Sequence, residues 1–219
     1  MTHIPVKKTI LATLAFTLSN WKKLFEISIF PFLMALPFFT ILPELMVILQ
    51  AQFFGAGEVP EYPNSYGLYL IMFDYGYMAL VINIYRLLVS GNKSVARLGV
   101  IFPSLRLGRF FLLFILLSVV TQFSIVISPF LVPVVYFILV PVSLNLVSLA
   151  NDVPYKRMKL ELLPQLSVFF IKLGVPTLLV GLIILIAANQ FIFWGAMVLI
   201  VYWMAISFAL CYRVIMANS

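Results

Sequence analysis

Six apolar runs fall at roughly 24–50, 68–90, 108–128, 130–150, 166–188 and 190–213 of this 219-residue chain. A helix rises about 1.5 Å per residue, so a hydrocarbon core about 30 Å thick takes about 20 residues to cross. Inside that core each backbone N–H and C=O must be satisfied within the segment, which a helix achieves. The runs therefore predict an all-α polytopic membrane protein with six spans in three hairpins, a single helical membrane domain over residues 1–219. Apolar residues make up 64% of the chain, against about 45–50% in a soluble domain. Only 10% are charged, too few to cover a water-facing surface.

The first run holds Pro31, Pro37 and Pro43 and predicts a tilted or kinked helix. It is much longer than the apolar part of a signal peptide, about 7–15 residues, so it is expected to remain as the first span. All fourteen lysines and arginines can be placed on one side of the membrane by this threading. Lys7, Lys8, Lys22 and Lys23 precede the first run; Arg86, Lys93, Arg97, Arg106 and Arg109 cluster between the second and third. Lys156, Arg157, Lys159 and Lys172 lie around the junction of the fourth and fifth, and Arg213 follows the sixth. Short loops rich in Lys and Arg stay cytoplasmic, which predicts that both termini are cytoplasmic. Glu44, Glu58 and Glu61 lie on or beside the first outward loop, and Ser128-Pro129 and Asn189-Gln190 make the later outward turns.

A basic segment precedes each hairpin, at 7–23, 91–107 and 151–165. In the first, Ile10, Leu14, Leu18, Trp21 and Phe25 recur at helical spacing, with Lys8, Ala12, Ala15, Ser19 and Lys22 opposite. That pattern predicts an interfacial amphipathic helix on the anionic headgroups of the inner leaflet. In the second, Leu98, Ile101 and Leu105 form a shorter stripe broken by Pro103. The net charge of +7 is dispersed among these loops, so membrane lipids and protein partners in the membrane are expected, and nucleic acid is not.

Ionisable and polar groups inside spans are the candidate functional residues, because burying them in lipid is costly. Asp74 lies near the outer end of the second span; it either binds a cation or relays a proton, or is an interfacial acid served by Tyr69, Tyr75 and Tyr77. Asp74, Asn83, Gln122 and Asn145 together form a candidate polar pathway, flanked by Thr121, Ser124, Ser128, Ser143 and Ser148. Glu26 and Arg86, at the inner ends of the first two spans, form a candidate structural ion pair. Gly174, Gly181, Ala205 and Ala209 sit at helix-packing spacings. One cysteine, Cys211, excludes an intramolecular disulfide and a Cys-based metal site, and with His3 as the one histidine there is no Cys/His cluster. No catalytic, cofactor-binding or metal-binding residue is predicted.

The inner end of the second span reads Ile84-Tyr85-Arg86-Leu87-Leu88-Val89-Ser90-Gly91-Asn92. An aromatic or His, then Arg, an apolar stretch and Gly, resembles the same place in a loose group of bacterial six-helix inner-membrane proteins. That group includes the membrane domain of some glycerophosphodiester phosphodiesterases. Arg86 and Gly91 match; Tyr85 and Asn92 stand where the group has His and an acidic residue. The resemblance implies a multi-helix inner-membrane protein without catalysis of its own. The lack of catalytic groups, together with the interfacial basic segments, leads to the expectation of an accessory, scaffold or lipid-associated component of a bacterial inner membrane. Two other functions remain open: a small transporter or permease subunit using the polar pathway, or a membrane subunit of a larger respiratory or photosynthetic complex.

Overall fold

The computed structural model describes residues 4–54, 60–102, 104–128, 130–156, 158–186 and 190–217. His3, Glu58, Pro103, Pro129, Arg157 and Asn189, each read from the sequence above, lie outside the described residues. The regular elements among the described residues are helices, with α1 Val6–Ser19, α2 Trp21–Phe54, α3 Tyr66–Val89, α4 Leu105–Ile127, α5 Leu131–Ser143, α6 Asn145–Ala150, α7 Leu162–Phe169, α8 Val175–Ile186 and α9 Gln190–Ala217. Two 3₁₀ turns, Asn92–Ser94 and Arg97–Gly99, follow α3, and a π turn, Phe170–Gly174, joins α7 to α8.

Five helical stretches among the described residues are long and apolar enough to cross a membrane: Trp21–Ile48, Tyr66–Val89, Leu107–Ser124, Leu162–Ile183 and Gly195–Ala217. The expected count of six is not reached, because the run 130–150 is divided into α5 and α6 at Leu144. Pro141 lies inside α5 and removes the N–H that would bond the carbonyl of Phe137 four residues earlier. Gln165 of α7 supplies the missing donor, its Nε2 reaching the Phe137 oxygen at 2.7 Å. The π turn has a related cause. Pro176 cannot donate to the carbonyl of Lys172, and Val175 N–H bonds Phe170 instead, five residues back.

The chain divides into two compact units. One comprises Met1–Trp21, Ile84–Ser94 and Pro103–Ser219. Its core helix is α9, where Ala205, Ile206, Phe208, Ala209 and Cys211 are buried and α1, α8 and the π turn pack. All six residues of α6 are buried in the same unit. Outward, α4 exposes Leu112, Leu116, Val119, Phe123 and Ile127 in a stripe, as a lipid-facing helix does.

The other unit comprises Lys22–Asn83 and Val95–Phe102. Ile41, Leu45 and Ile48 form a cluster with Phe38, Tyr66 and Tyr69, and Phe38 stacks on Phe73 at 4.8 Å between centroids. At Gly76 of α3 the backbones come close, since a Cβ there would stand 2.7 Å from the Pro31 oxygen of α2.

Candidate functional site

Each unit ties a loop to a helix through one fully buried asparagine. In the unit built on α2, the loop 95–102 returns across α3 and meets Asn83. Asn83 Nδ2 donates to Ala79 O at 2.9 Å and to Gly99 O at 3.0 Å. Its Oδ1 accepts from Ala96 N–H at 3.2 Å. Both amide hydrogens and the carbonyl of the side chain are therefore engaged. Tyr75 OH donates to Ile101 O and fixes the far end of the loop. Between them Leu98 and Gly99 turn through the left-handed region, with φ of 56° and 77°. A Cβ on Gly99 would overlap the carbonyl oxygen of Ile27, the group that Pro31 leaves without its helical donor. Only glycine lets the loop backbone settle there.

In the unit built on α9, Asn145 Oδ1 accepts from Lys156 N–H at 2.9 Å, and its Nδ2 donates to Pro141 O at 3.3 Å. Around it, side chains close the C-terminal ends of α3 and α6. Arg86 Nε donates to Ala150 O at 2.7 Å, and Arg213 Nη1 to Leu88 O at 3.2 Å. Asn151 Nδ2 donates to Val147 O at 2.8 Å and to Tyr85 O at 3.4 Å, while its Oδ1 accepts from Ser90 Oγ at 2.7 Å. Asp152 takes a φ of 60°. Val153 N–H bonds Ser148 O at 2.9 Å and Asp152 N–H bonds Leu149 O at 3.2 Å, the pairing of a Schellman cap. Guanidinium groups are favoured at helix C-termini, where unpaired carbonyls gather partial negative charge.

The four positions of the candidate pathway divide into two kinds. Asn83 and Asn145 are buried and bonded to loop backbone, as above, whereas Asp74 and Gln122 are exposed on α3 and α4. Glu26 and Arg86 belong to different units, and each meets a charged side chain within its own. Lys23 Nζ meets Glu26 Oε2 at 2.9 Å, and Arg86 Nη2 meets Asp152 Oδ2 at 3.8 Å. Ala205 and Ala209 are buried, but nothing stands within 4 Å of a Cβ on Gly181, and one on Gly174 would meet only Phe170 of its own helix.

Lys172 differs most from its sequence reading. It lies ten residues into the apolar stretch Leu162–Ile183. Its Nζ lies over the rings of Phe208 at 3.8 Å and Tyr136 at 4.9 Å. Aromatic faces attract an ammonium group most strongly where water is excluded. Among the described residues, one buried side-chain nitrogen or oxygen lacks a hydrogen-bond partner, Trp203 Nε1.

Asn151, Gln165, Gly99 and Arg213 carry contacts as important as those of the expected residues. Pro141 was the available signal for Gln165, since a proline inside an apolar run announces a free carbonyl that something must satisfy. No protein-family model, curated protein or solved structure matches this chain.

Proposed function

We propose that this chain is a non-enzymatic accessory or scaffold protein, lipid-associated, of a bacterial inner membrane, with both termini cytoplasmic. The observation that carries this reading is the satisfaction of buried polar side-chain atoms, with Trp203 Nε1 the exception among the described residues. A permease keeps polar groups facing a water-accessible path near the midplane. Here Asn83 and Asn145 bind loop backbone instead, which favours a rigid frame over a conduit. The lysine and arginine distribution supports the orientation. Likeness to the bacterial six-helix group is part of the proposal. It draws support from the work of its two matching positions, because Arg86 caps α6 and Gly91 turns through a φ of 82° after α3.

Purification in mild detergent, followed by identification of bound proteins and lipids, tests the proposal. The expected result is a membrane-protein partner or tightly held phospholipid at fixed stoichiometry. A lone, lipid-free monomer that gives reproducible solute uptake in liposomes overturns it.

A further inference from the structure

The burial pattern of α1 runs against its composition. Thr9 and Thr13 are buried, and α1 packs on α9, while Leu11, Leu14, Leu18 and Trp21 are exposed, Leu18 at 74% and Trp21 at 61%. The threonine hydroxyls are silent inside that contact, since Thr9 Oγ1 donates to Pro5 O at 3.1 Å and Thr13 Oγ1 to Thr9 O at 2.9 Å. Each hydroxyl is thus satisfied by a backbone carbonyl four residues earlier on the same segment. Leu11, Leu14 and Leu18 fall on one helical face at spacings of three and four, and Lys7 and Lys8 stand exposed at the N-terminal end of the helix.

Three facts bear on what covers this face. At fourteen residues α1 spans about 21 Å, too short to cross the core. It ends at Ser19, and α2 begins at Trp21, so it is tethered directly to a membrane-spanning helix. Its exposed face carries leucines, with Lys7 and Lys8 at its N-terminal end and the exposed indole of Trp21 just past its C-terminal end, the pairing suited to the boundary of an acidic leaflet.

We propose that the outer face of α1 is a docking surface for acidic phospholipid. Leu11, Leu14, Leu18 and Trp21 enter the acyl boundary, and Lys7 and Lys8 meet the phosphates. This names the lipid class for the lipid-associated reading above and rests on it.

The test uses the full chain with Cys211→Ala, single spin labels on α1, and vesicles of phosphatidylcholine with or without phosphatidylglycerol. Labels at positions 11, 14 and 18 are expected to collide with oxygen more than with an aqueous nickel reagent, and labels at 12 and 19 the reverse. Phosphatidylglycerol should deepen the label at 14. Lys7→Gln with Lys8→Gln should weaken that response about fivefold per lysine, leaving the fold intact by circular dichroism. A label at 14 open to nickel in both lipids overturns the proposal. So does a label shielded from both reagents, which would mean a protein covers the face and would leave the scaffold reading standing. Solute uptake by vesicles with a normal label pattern would remove the scaffold reading and keep the lipid surface.

Discussion

The loop 95–102 and the segment 151–156 are both held by a buried asparagine on a helix, yet the two tolerate change differently. Asn83 grips its loop with two hydrogen bonds, to Gly99 O and from Ala96 N–H, and Gly99 presses the loop backbone onto the Ile27 carbonyl left free by Pro31. Asn145 grips with one bond to Lys156, while Arg86 and Asn151 share the load at the end of α6. At Pro141 the freed carbonyl is met by a side-chain donor, Gln165, and not by close backbone contact. A proline inside a span creates the same vacancy in both units. One is closed by the absence of a side chain, the other by the reach of one. A contact that depends on absence cannot adjust, because any added atom collides with backbone. A contact made by a long side chain can be lost and partly replaced by a neighbour or water.

The largest expected effect follows directly. Gly99→Ala must place a Cβ on the Ile27 carbonyl at a φ of 77°. Overpacking and the left-handed backbone together should destabilise the chain by about 3 kcal/mol or more. Unfolding followed by circular dichroism during titration with a denaturing detergent measures this. A loss below about 1 kcal/mol would mean the loop can lift away from α2, and the contrast between the units would fail.

Next come the asparagines. Asn83→Leu strands two loop groups, Gly99 O and Ala96 N–H, and should cost about 2–4 kcal/mol. Asn145→Leu strands one loop group, Lys156 N–H, and loses only a long 3.3 Å bond to Pro141 O besides, so it should cost about 1–2 kcal/mol. Cys211, fully buried on α9 in the same unit as Asn145, is a built-in reporter that separates them. Asn145→Leu should bring thiol labelling to lower temperature. Asn83→Leu should lower total helical stability with a smaller shift in Cys211 labelling. Equal labelling shifts would show that the two units melt as one.

These residues also mark how far the sequence could be read. Apolar length gave the all-helical membrane fold because lipid allows a long apolar run almost no alternative. It leaves the count open at residues 130–150, where the composition continues past Pro141 and the turn at Leu144 that divide the run into α5 and α6. Asn83 and Asn145 were visible as polar residues in spans, but an asparagine facing a path and one holding a loop look alike before the loop is placed. Lys23 stands three residues before Glu26 on α2, a pairing that helical spacing makes legible, whereas Asp152, the partner of Arg86, lies in a segment whose course the apolar pattern does not specify. Lys172 was assigned by rule to the inner side, and the aromatic rings of Tyr136 and Phe208 that receive it come from other helices.

A smaller effect tests the side-chain answer at Pro141. Gln165→Leu leaves Phe137 O without its donor and should cost about 1–2 kcal/mol by thermal unfolding in detergent. Pro141→Ala restores a backbone N–H for the same carbonyl. In that background Gln165→Leu should be close to neutral, a coupling between the two sites of about 1 kcal/mol. Strict additivity would mean that Gln165 stabilises α7 by some other route.

The smallest effect separates the two loops by their left-handed residues. Leu98 has a φ of 56° and is 43% exposed, so its side chain gains little packing in return for an unfavourable backbone. Asp152 has a φ of 60°, a conformation that Asp and Asn adopt several-fold more often than other side chains. Leu98→Asn should therefore stabilise the chain by up to about 1 kcal/mol. Asp152→Asn should change stability little through the backbone, and should lose only the partly exposed contact with Arg86, since Asn keeps the local geometry. Thermal unfolding of both variants beside the parent decides the matter. If Leu98→Asn destabilises, the leucine side chain contributes more to the loop than its exposure indicates, and the loop 95–102 is held by packing as well as by Asn83 and Gly99.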